Sequence, residues 1–461
     1  MADGPASPER RVAFRVLRRV SEGAYADRAL SGEAARERLD ARGRAQAHRL
    51  AFGAVQRRRT LDWLVDEYLD RPEGIEDAVR DVLRLGAYDI AFSDAVRDAA
   101  AVDQAVRLSR EIPGGGRRST ARAGLVNAVL RKVATGARDR LAALDDTAPA
   151  GAAVLHSVPD WVAVRLFDAL GPATARGVLA AANRPGETAV RWNPLRGPRV
   201  TLERLLPEPA RRDPLLADAY VLDGAFALED SAVWRRGLAM AQSRASMLPA
   251  LALDPRPGER ILDLCAAPGA KATQIAAMTQ NRAEVVCVEL HPARASALRA
   301  LATRLGARLT VVEGDGRDVA LDGGFDAVLV DPPCTGLGVL SARPDARWRR
   351  TESDVGDLSR LQAALLGRAL AVARPGGRVV YSTCTLLPDE NERVVETAGH
   401  DVSDLTAMAP ASAHPGLRGA LLTLPGRDGT DGFFVARIDL PSTGHPAQGG
   451  VSVRRSFGAV D

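Results

Sequence analysis

Two segments each place a cysteine just after an apolar run. Asp331-Pro332-Pro333-Cys334-Thr335-Gly336 follows Ala327 to Val330, and Ser382-Thr383-Cys384-Thr385 follows Val379 to Tyr381. A lone cysteine in a folded chain is most often a small buried hydrophobe. A pair of them, each at a strand end and one beside an acid, suits nucleophilic chemistry instead. Carbon 5 of cytosine is too weak a nucleophile to take a methyl group unaided, and a thiolate adding at carbon 6 activates it. Asp331 can hydrogen-bond the ring nitrogen and exocyclic amine as charge develops, while a second base, Cys334 or a water, removes the carbon-5 proton.

The third rim cysteine belongs to Leu262-Asp263-Leu264-Cys265-Ala266-Ala267-Pro268-Gly269-Ala270-Lys271, which follows another apolar run and opens a helix. Its small residues let backbone amides approach a ligand closely, although it is neither a G-x-G-x-x-G nor a Walker loop. About 20 residues on, Glu289 ends the next run, where a carboxylate can accept both hydroxyls of a ribose. Asp315, in Glu313-Gly314-Asp315-Gly316-Arg317, ends the third run at the level of an adenine amino group. Each acid alone reads equally well as a cap or turn residue; three successive strand ends together offer a nucleoside a binding edge. Lys271, one of only two lysines with Lys132, can meet a carboxylate from that loop.

These loops need a sheet to align them. From Arg260 short apolar strands alternate with helical stretches: Ile261 to Leu264, Val285 to Val288, Leu309 to Val312, Ala327 to Val330 and Val379 to Tyr381. This rhythm predicts a doubly wound, Rossmann-like parallel sheet whose crevice lies outside the carboxyl ends of its strands. Cys287 falls inside a strand and reads as core. Gly432 to Ile438 is expected as a late edge strand, and the stretch after Leu440 as a loose tail.

From Pro8 to about Ala134 the apolar spacing is helical, with Ala13, Val16, Leu17 and Val20 on one face and Leu61, Leu64, Val65 and Leu69 on another. Pro113 to Arg118 reads as a loop between helices, and the arginines at 57, 58, 59, 117 and 118 can meet phosphates. Between these regions Val190 to Asn193 reads as a strand and Val200 to Leu205 as a helix start. The chain is thus expected to be multidomain: an all-α bundle over 1–137, a linker over 138–159, a small α+β module over 160–250, an α/β domain over 251–440 and a tail over 441–461.

At 461 residues, 46% hydrophobic and 26% charged, the chain is globular and long enough for two or three cores. Its net charge of +4 permits a polyanionic partner without requiring one. The start, MADGPASPERR, lacks the plan of a secretory leader, and no apolar run nears the ~20 residues of a membrane span; a cytoplasmic protein without a membrane partner is expected. The four cysteines form no C-x-x-C pair and no metal site is expected.

The motifs LDLCAAPGAK, DPPCTG and YSTCT, with LLPDENE, RPDARWRR and DGFFVARI, occur in an order that resembles the Sun/Fmu family of RNA cytosine carbon-5 methyltransferases, in particular its bacterial small-subunit rRNA branch. The likeness spans nearly the whole chain. It implies S-adenosylmethionine (SAM) as methyl donor and RNA, in particular small-subunit (16S) rRNA, as substrate; the protein is expected to act as a monomer. It further implies that Cys384 is the nucleophile and Cys334 aids product release, and that Cys265, Ala266, Ala267, Pro268, Gly269, Ala270, Lys271, Glu289, Asp315 and Asp331 contact SAM. Arg294 matches a weaker family position, and Asn391 and Glu392 also fit. The region up to about Val133 resembles the NusB-type RNA-binding fold. Three departures are PGAKAT for PGGKT, Asp-Pro-Pro-Cys for Asp-Ala-Pro-Cys, and Gln242-Ser243 for Gln-Asp.

Two rivals make different predictions. An amino-group methyltransferase also uses Asp-Pro-Pro but follows it with an aromatic residue to hold a flipped base; Cys334 stands there instead, and Cys384 would have no task. A non-catalytic RNA-binding module would bind RNA without turnover, leaving no physical reason for two rim thiols beside a complete nucleoside edge.

Overall fold

The computed structural model describes residues 4–93, 96–207, 209–224 and 226–442. The first third is helical: α1 (Pro8–Ser21), α2 (Ala26–Arg36), α3 (Ala41–Gln56), α4 (Arg58–Asp66), α5 (Asp77–Phe92), α6 (Asp98–Arg110) and α7 (Arg117–Ala142). Local signals set the helix ends. Pro8 occupies the first turn of α1, with Glu9 there and Arg18 and Arg19 in the last turn, matching the helix dipole. The Asp40 side chain accepts from Gly43 N at 2.7 Å and caps α3. The apolar faces meet in one core that includes Val16, Leu50, Leu61, Leu64, Leu83, Ile90 and Leu130. Gly53 is required there, because a Cβ at that position would collide with the Tyr88 ring.

The segment predicted as a linker, 138–159, is largely helical. Helix α7 runs on to Ala142, and α8 occupies Pro149–Leu155 with Ala152 and Ala153 fully buried. Its apolar contacts are made by alanines, which give little hydrophobic contrast in sequence. Helices α9 (Asp160–Leu170) and α10 (Pro172–Ala181) share a core with α8 and with the large sheet, through Val162, Leu166, Val178 and Leu179. They therefore pack with the large sheet and not with the small module to which the sequence assigned them.

That module is a four-stranded antiparallel sheet of order β2-β3-β1-β4, formed by β1 (Thr188–Trp192), β2 (Ala210–Arg212), β3 (Ala219–Leu222) and β4 (Ala239–Ala241), with short helices α11 (Arg199–Glu203) and α12 (Ala232–Arg235). It has its own small core around Val190, Leu202, Tyr220 and Leu238. Helix α13 (Arg244–Leu253), capped by Ser243, leads onward.

The C-terminal domain comprises β5 (Arg260–Asp263), α14 (Ala270–Met278), β6 (Glu284–Glu289), α15 (Pro292–Leu305), β7 (Thr310–Glu313), β8 (Phe325–Val330), α16 (Ala346–Arg349), α17 (Ser353–Val372), β9 (Ala373–Thr383), α18 (Glu392–Glu396), β10 (Leu421–Thr423) and β11 (Phe433–Asp439). Its seven strands have the order β10-β11-β9-β8-β5-β6-β7, parallel from β9 to β7. This is a Rossmann-like sheet whose strand order reverses between β5 and β8, the position at which sheets of this kind hold their ligands. The predicted edge strand is not an edge: β11 lies between β10 and β9, antiparallel to both. Phe433, Phe434, Val435 and Ala436 are all buried, so the run is apolar on both faces, as an interior strand must be. From residue 443 onward the expected tail lies outside the described residues. Among the described residues no helix is long and apolar enough to cross a membrane.

Candidate active site

The sheet delivers the predicted rim residues to one edge. Asp263 ends β5 and Glu289 ends β6, in neighbouring parallel strands, and Asp315 follows β7. Asp263 is buried, its Oδ1 has no partner among the described residues, and its carboxyl is pushed up to about 7, chiefly by burial and then by the charge of Asp331. Gly269 caps α14 at φ +110°, a conformation that favours glycine, and a Cβ there would strike Leu298. The loop backbone thus lies hard against α15 and leaves its other side to a ligand. The Cys265 thiol is pushed far up by burial and the charge of Asp263, so this cysteine is inert toward ionisation.

Glu289 is buried, accepts the His291 amide at 2.9 Å and lies 3.6 Å from Arg294, whose Nη2 donates to Ala267 O at 2.8 Å. Arg294 therefore ties two parts of the rim together. The Asp315 carboxylate is turned onto its own neighbour, accepting from Arg317 N, Nε and Nη2, which holds it below the ordinary carboxylate range. An adenine amino group would have to displace the exposed Arg317 side chain to reach it.

Lys271 meets the predicted carboxylate: its Nζ lies 2.7 Å from Asp331 Oδ2. Burial weakens the ammonium, but Asp331 and the nearby Cys384 outweigh it, and the group stays charged above its usual range. Asp331 Oδ1 accepts from the Ser382 hydroxyl at 3.0 Å, which links the β8 and β9 loops.

The two thiols are in contact. Cys334 Sγ and Cys384 Sγ lie 3.3 Å apart, and the Cys334 thiol is raised well above its ordinary range by its hydrogen bond with Cys384 and by burial. Each backbone around it is held: Pro333 O accepts from Gln362 Nε2 at 2.9 Å, Cys334 O from Arg350 Nη2 at 3.3 Å, and Thr335 N donates to Glu390 Oε2 at 2.8 Å. Cys384 O accepts from Gly338 N at 2.9 Å, and Thr335 Oγ1 bonds Thr385 Oγ1 at 2.7 Å. Cys287 is in β6, fully buried, as expected of core.

Sequence reasoning missed several members. Glu390 is wholly buried and its carboxyl is raised by burial, against hydrogen bonds from Thr335 and Gln362. It stood in LLPDENE beside residues that were noticed, and three acids in four residues disguised it as surface. Arg191, expected only as part of a strand, is fully buried and donates to Gln242 Oε1 at 2.7 Å, Thr273 Oγ1 at 3.2 Å and Ala270 O at 3.3 Å. The Gln242-Ser243 departure therefore lies in the network that anchors the start of α14, with Ser243 capping α13. The arginines offered to phosphates divide: Arg57 and Arg59 donate to Leu155 O and Val158 O within the protein, while Arg117 and Arg118 are exposed.

A family model described as 16S rRNA methyltransferase RsmB/F matches residues 250–439, and a NusB family model matches residues 7–135. A Mycobacterium tuberculosis protein that carries only a methyltransferase name is 36% identical over 94% of this chain and 97% of its own. Ribosomal RNA small subunit methyltransferase B of Salmonella paratyphi B is 31% identical over 84% of this chain and 89% of its own. Among solved structures, PH0851 superposes with a TM-score of 0.79 over 95% of this chain and 99% of that one at 22% identity, a likeness of fold. A methyltransferase homolog from Pyrococcus horikoshii has a TM-score of 0.55 and 28% identity, covering 63% of this chain and 97% of its own.

Proposed function

The chain belongs to the RsmB/F family of SAM-dependent 16S rRNA methyltransferases, and from that premise we propose that it methylates carbon 5 of a cytosine in small-subunit rRNA through a covalent adduct on Cys384. The observation that carries the chemistry is the contact of two strand-end thiols beside the Lys271–Asp331 pair.

The rim residues fit the methyl donor. Glu289 offers a buried acceptor for ribose hydroxyls, Cys265 to Lys271 present a small-residue backbone, and Asp315 and Asp331 flank them. When bound, SAM supplies the electrophilic methyl group that an activated carbon 5 takes up. The protein's part is to activate and then to release. The Cys384 thiolate forms a bond to carbon 6, and the displaced ring electrons make carbon 5 nucleophilic. Lys271, held above its usual range against burial by Asp331 and the nearby Cys384, supplies a positive charge to this part of the site. Asp331 already accepts one hydrogen bond on each oxygen, and each retains a lone pair for the cytosine edge. Release reverses the addition: a base such as a water takes the carbon-5 proton, the double bond re-forms, and the carbon–sulfur bond breaks to return the thiolate. The Cys334 thiol, 3.3 Å away and raised above its ordinary range by that contact and by burial, can hydrogen-bond the departing sulfur.

The test is nucleoside mass spectrometry of small-subunit rRNA from cells lacking the gene, with digestion to localise any missing methyl group. Loss of one 5-methylcytosine, restored by wild type but not by Cys384→Ala, supports the reading; a missing methyl on an exocyclic amine refutes it.

A further inference from the structure

The segment Arg343-Pro344-Asp345-Ala346-Arg347-Trp348-Arg349-Arg350 has no assigned chemistry, yet it is bonded at both ends to parts of the molecule that matter. Arg347 is fully buried, and no carboxylate pairs with it among the described residues. Its guanidinium donates instead to Gln56 O at the end of α3 (3.1 Å), to His156 O and Ser157 O after α8 (3.3 and 3.1 Å), to Ala182 O and Asn183 Oδ1 after α10 (3.2 and 3.1 Å), and to Leu340 O (3.2 Å). Trp348 Nε1 donates to Val55 O at 2.7 Å, and the Arg58 guanidinium lies over its ring. Three residues beyond Arg347, Arg350 donates to the carbonyl of Cys334 itself.

Burying a guanidinium without a counter-charge is costly, and packing alone would be served better by an apolar side chain. What arginine offers is a rigid planar fork of five N–H donors, which fixes several separate backbone ends relative to one another. Here those ends are the C-terminus of a bundle helix, the turn after α8 and the end of α10.

We propose that Arg343 to Arg350 is a positioning strut: Arg347 and Trp348 lock it to the NusB-like bundle, and Arg350 sets the Cys334 carbonyl, so that the RNA-holding bundle and the second thiol keep one register. Its effect on turnover rests on the release role of Cys334; its effect on the exposure of that thiol does not.

The test uses the full-length protein, an in vitro transcript of small-subunit rRNA, and iodoacetamide as thiol probe. For Arg350→Ala, kcat falls about tenfold while KM for the transcript stays within about twofold, because only the tie to Cys334 is cut. Cys334, resolved from Cys384 by peptide mass spectrometry, is alkylated several-fold faster than in wild type, and Arg350→Lys, which keeps a donor, recovers part of kcat. Arg347→Lys, with fewer donors in no fixed plane, raises KM and lowers kcat together; if it fails to fold, the Arg350 variants still decide the matter. Unchanged alkylation of Cys334 in Arg350→Ala overturns the strut. Faster alkylation with unchanged kcat upholds the strut and instead removes Cys334 from product release.

Discussion

Cys334 Sγ and Cys384 Sγ lie 3.3 Å apart although 50 residues separate them in the chain. They end two adjacent parallel strands, β8 and β9, and the threonines that follow them are also hydrogen-bonded to each other. The contact is therefore built by the sheet and by a buried polar network beneath it, not by chance approach of two loops.

Glu390 is the centre of that network. Glu390→Ala strips acceptors from Thr335 N, Thr335 Oγ1 and Gln362 Nε2. Thr335 N is then buried and unpaired, while Gln362 Nε2 keeps Pro333 O and Thr335 Oγ1 keeps Thr385 Oγ1, a loss of about 2 kcal/mol of stability. The loops also lose their register, so kcat falls at least tenfold. Denaturant unfolding beside single-turnover kinetics checks both; a variant destabilised yet turning over normally would show that the network holds the fold and not the thiols.

Lys271 and Asp331 form a partly buried ion pair. Lys271→Met leaves the carboxylate without its cation, which costs roughly 3 kcal/mol, and removes the positive charge beside Cys384. Thermal melting and methyl-transfer assays should show lower stability and a fall in kcat larger than the loss of SAM affinity measured by calorimetry. A purely proportional loss of SAM binding would assign the lysine to the cofactor alone.

The strands and rim loops were legible in the sequence because each is a short apolar run followed by small, acidic or thiol residues, and the sheet then needs no further information to bring those loops together. Less legible was anything decided by packing partners. The alanines of α8 carry no contrast between faces, the run Phe433 to Ile438 looks alike at an edge and in the interior, and Glu390 and Arg347 have the composition of surface residues while lying buried. The Rossmann-like architecture and the NusB-like bundle followed from period and motif order; the docking of α8 to α10 onto the catalytic half did not.

Asp263 titrates unusually, and the consequence has a definite sign. Its carboxyl is raised from 3.8 to about 7, chiefly by burial. Between these values the unfolded chain has lost a proton that the folded chain retains, so the stabilising contribution is full below about pH 4 and fades as pH rises toward 7. The full span corresponds to an effect on the order of 4 kcal/mol. Asp263→Asn does not titrate, so its stability relative to wild type should climb from pH 4 to pH 7 in urea melts and level off above. A difference independent of pH would mean that Asp263 is ionised in the folded protein throughout.

Among the described residues Glu289 has one amide donor, from His291, and an Arg294 guanidinium 3.6 Å off. Glu289→Ala should weaken SAM binding by about ten- to a hundredfold, the cost of one or two charge-assisted hydrogen bonds, with the melting temperature in the absence of SAM little changed. Titration calorimetry and thermal melts without ligand separate the two, and a collapse of the ligand-free melt would make this acid structural.

The most direct measurement mixes purified protein with SAM and a small-subunit rRNA transcript, then resolves the products on a denaturing gel. Cys334→Ala should accumulate a denaturant-resistant protein–RNA adduct, wild type should form little and turn over, and Cys384→Ala should form none and transfer no methyl group. An adduct in Cys384→Ala, or normal turnover in Cys334→Ala with no adduct at any time, would contradict the assignment of nucleophile and release thiol.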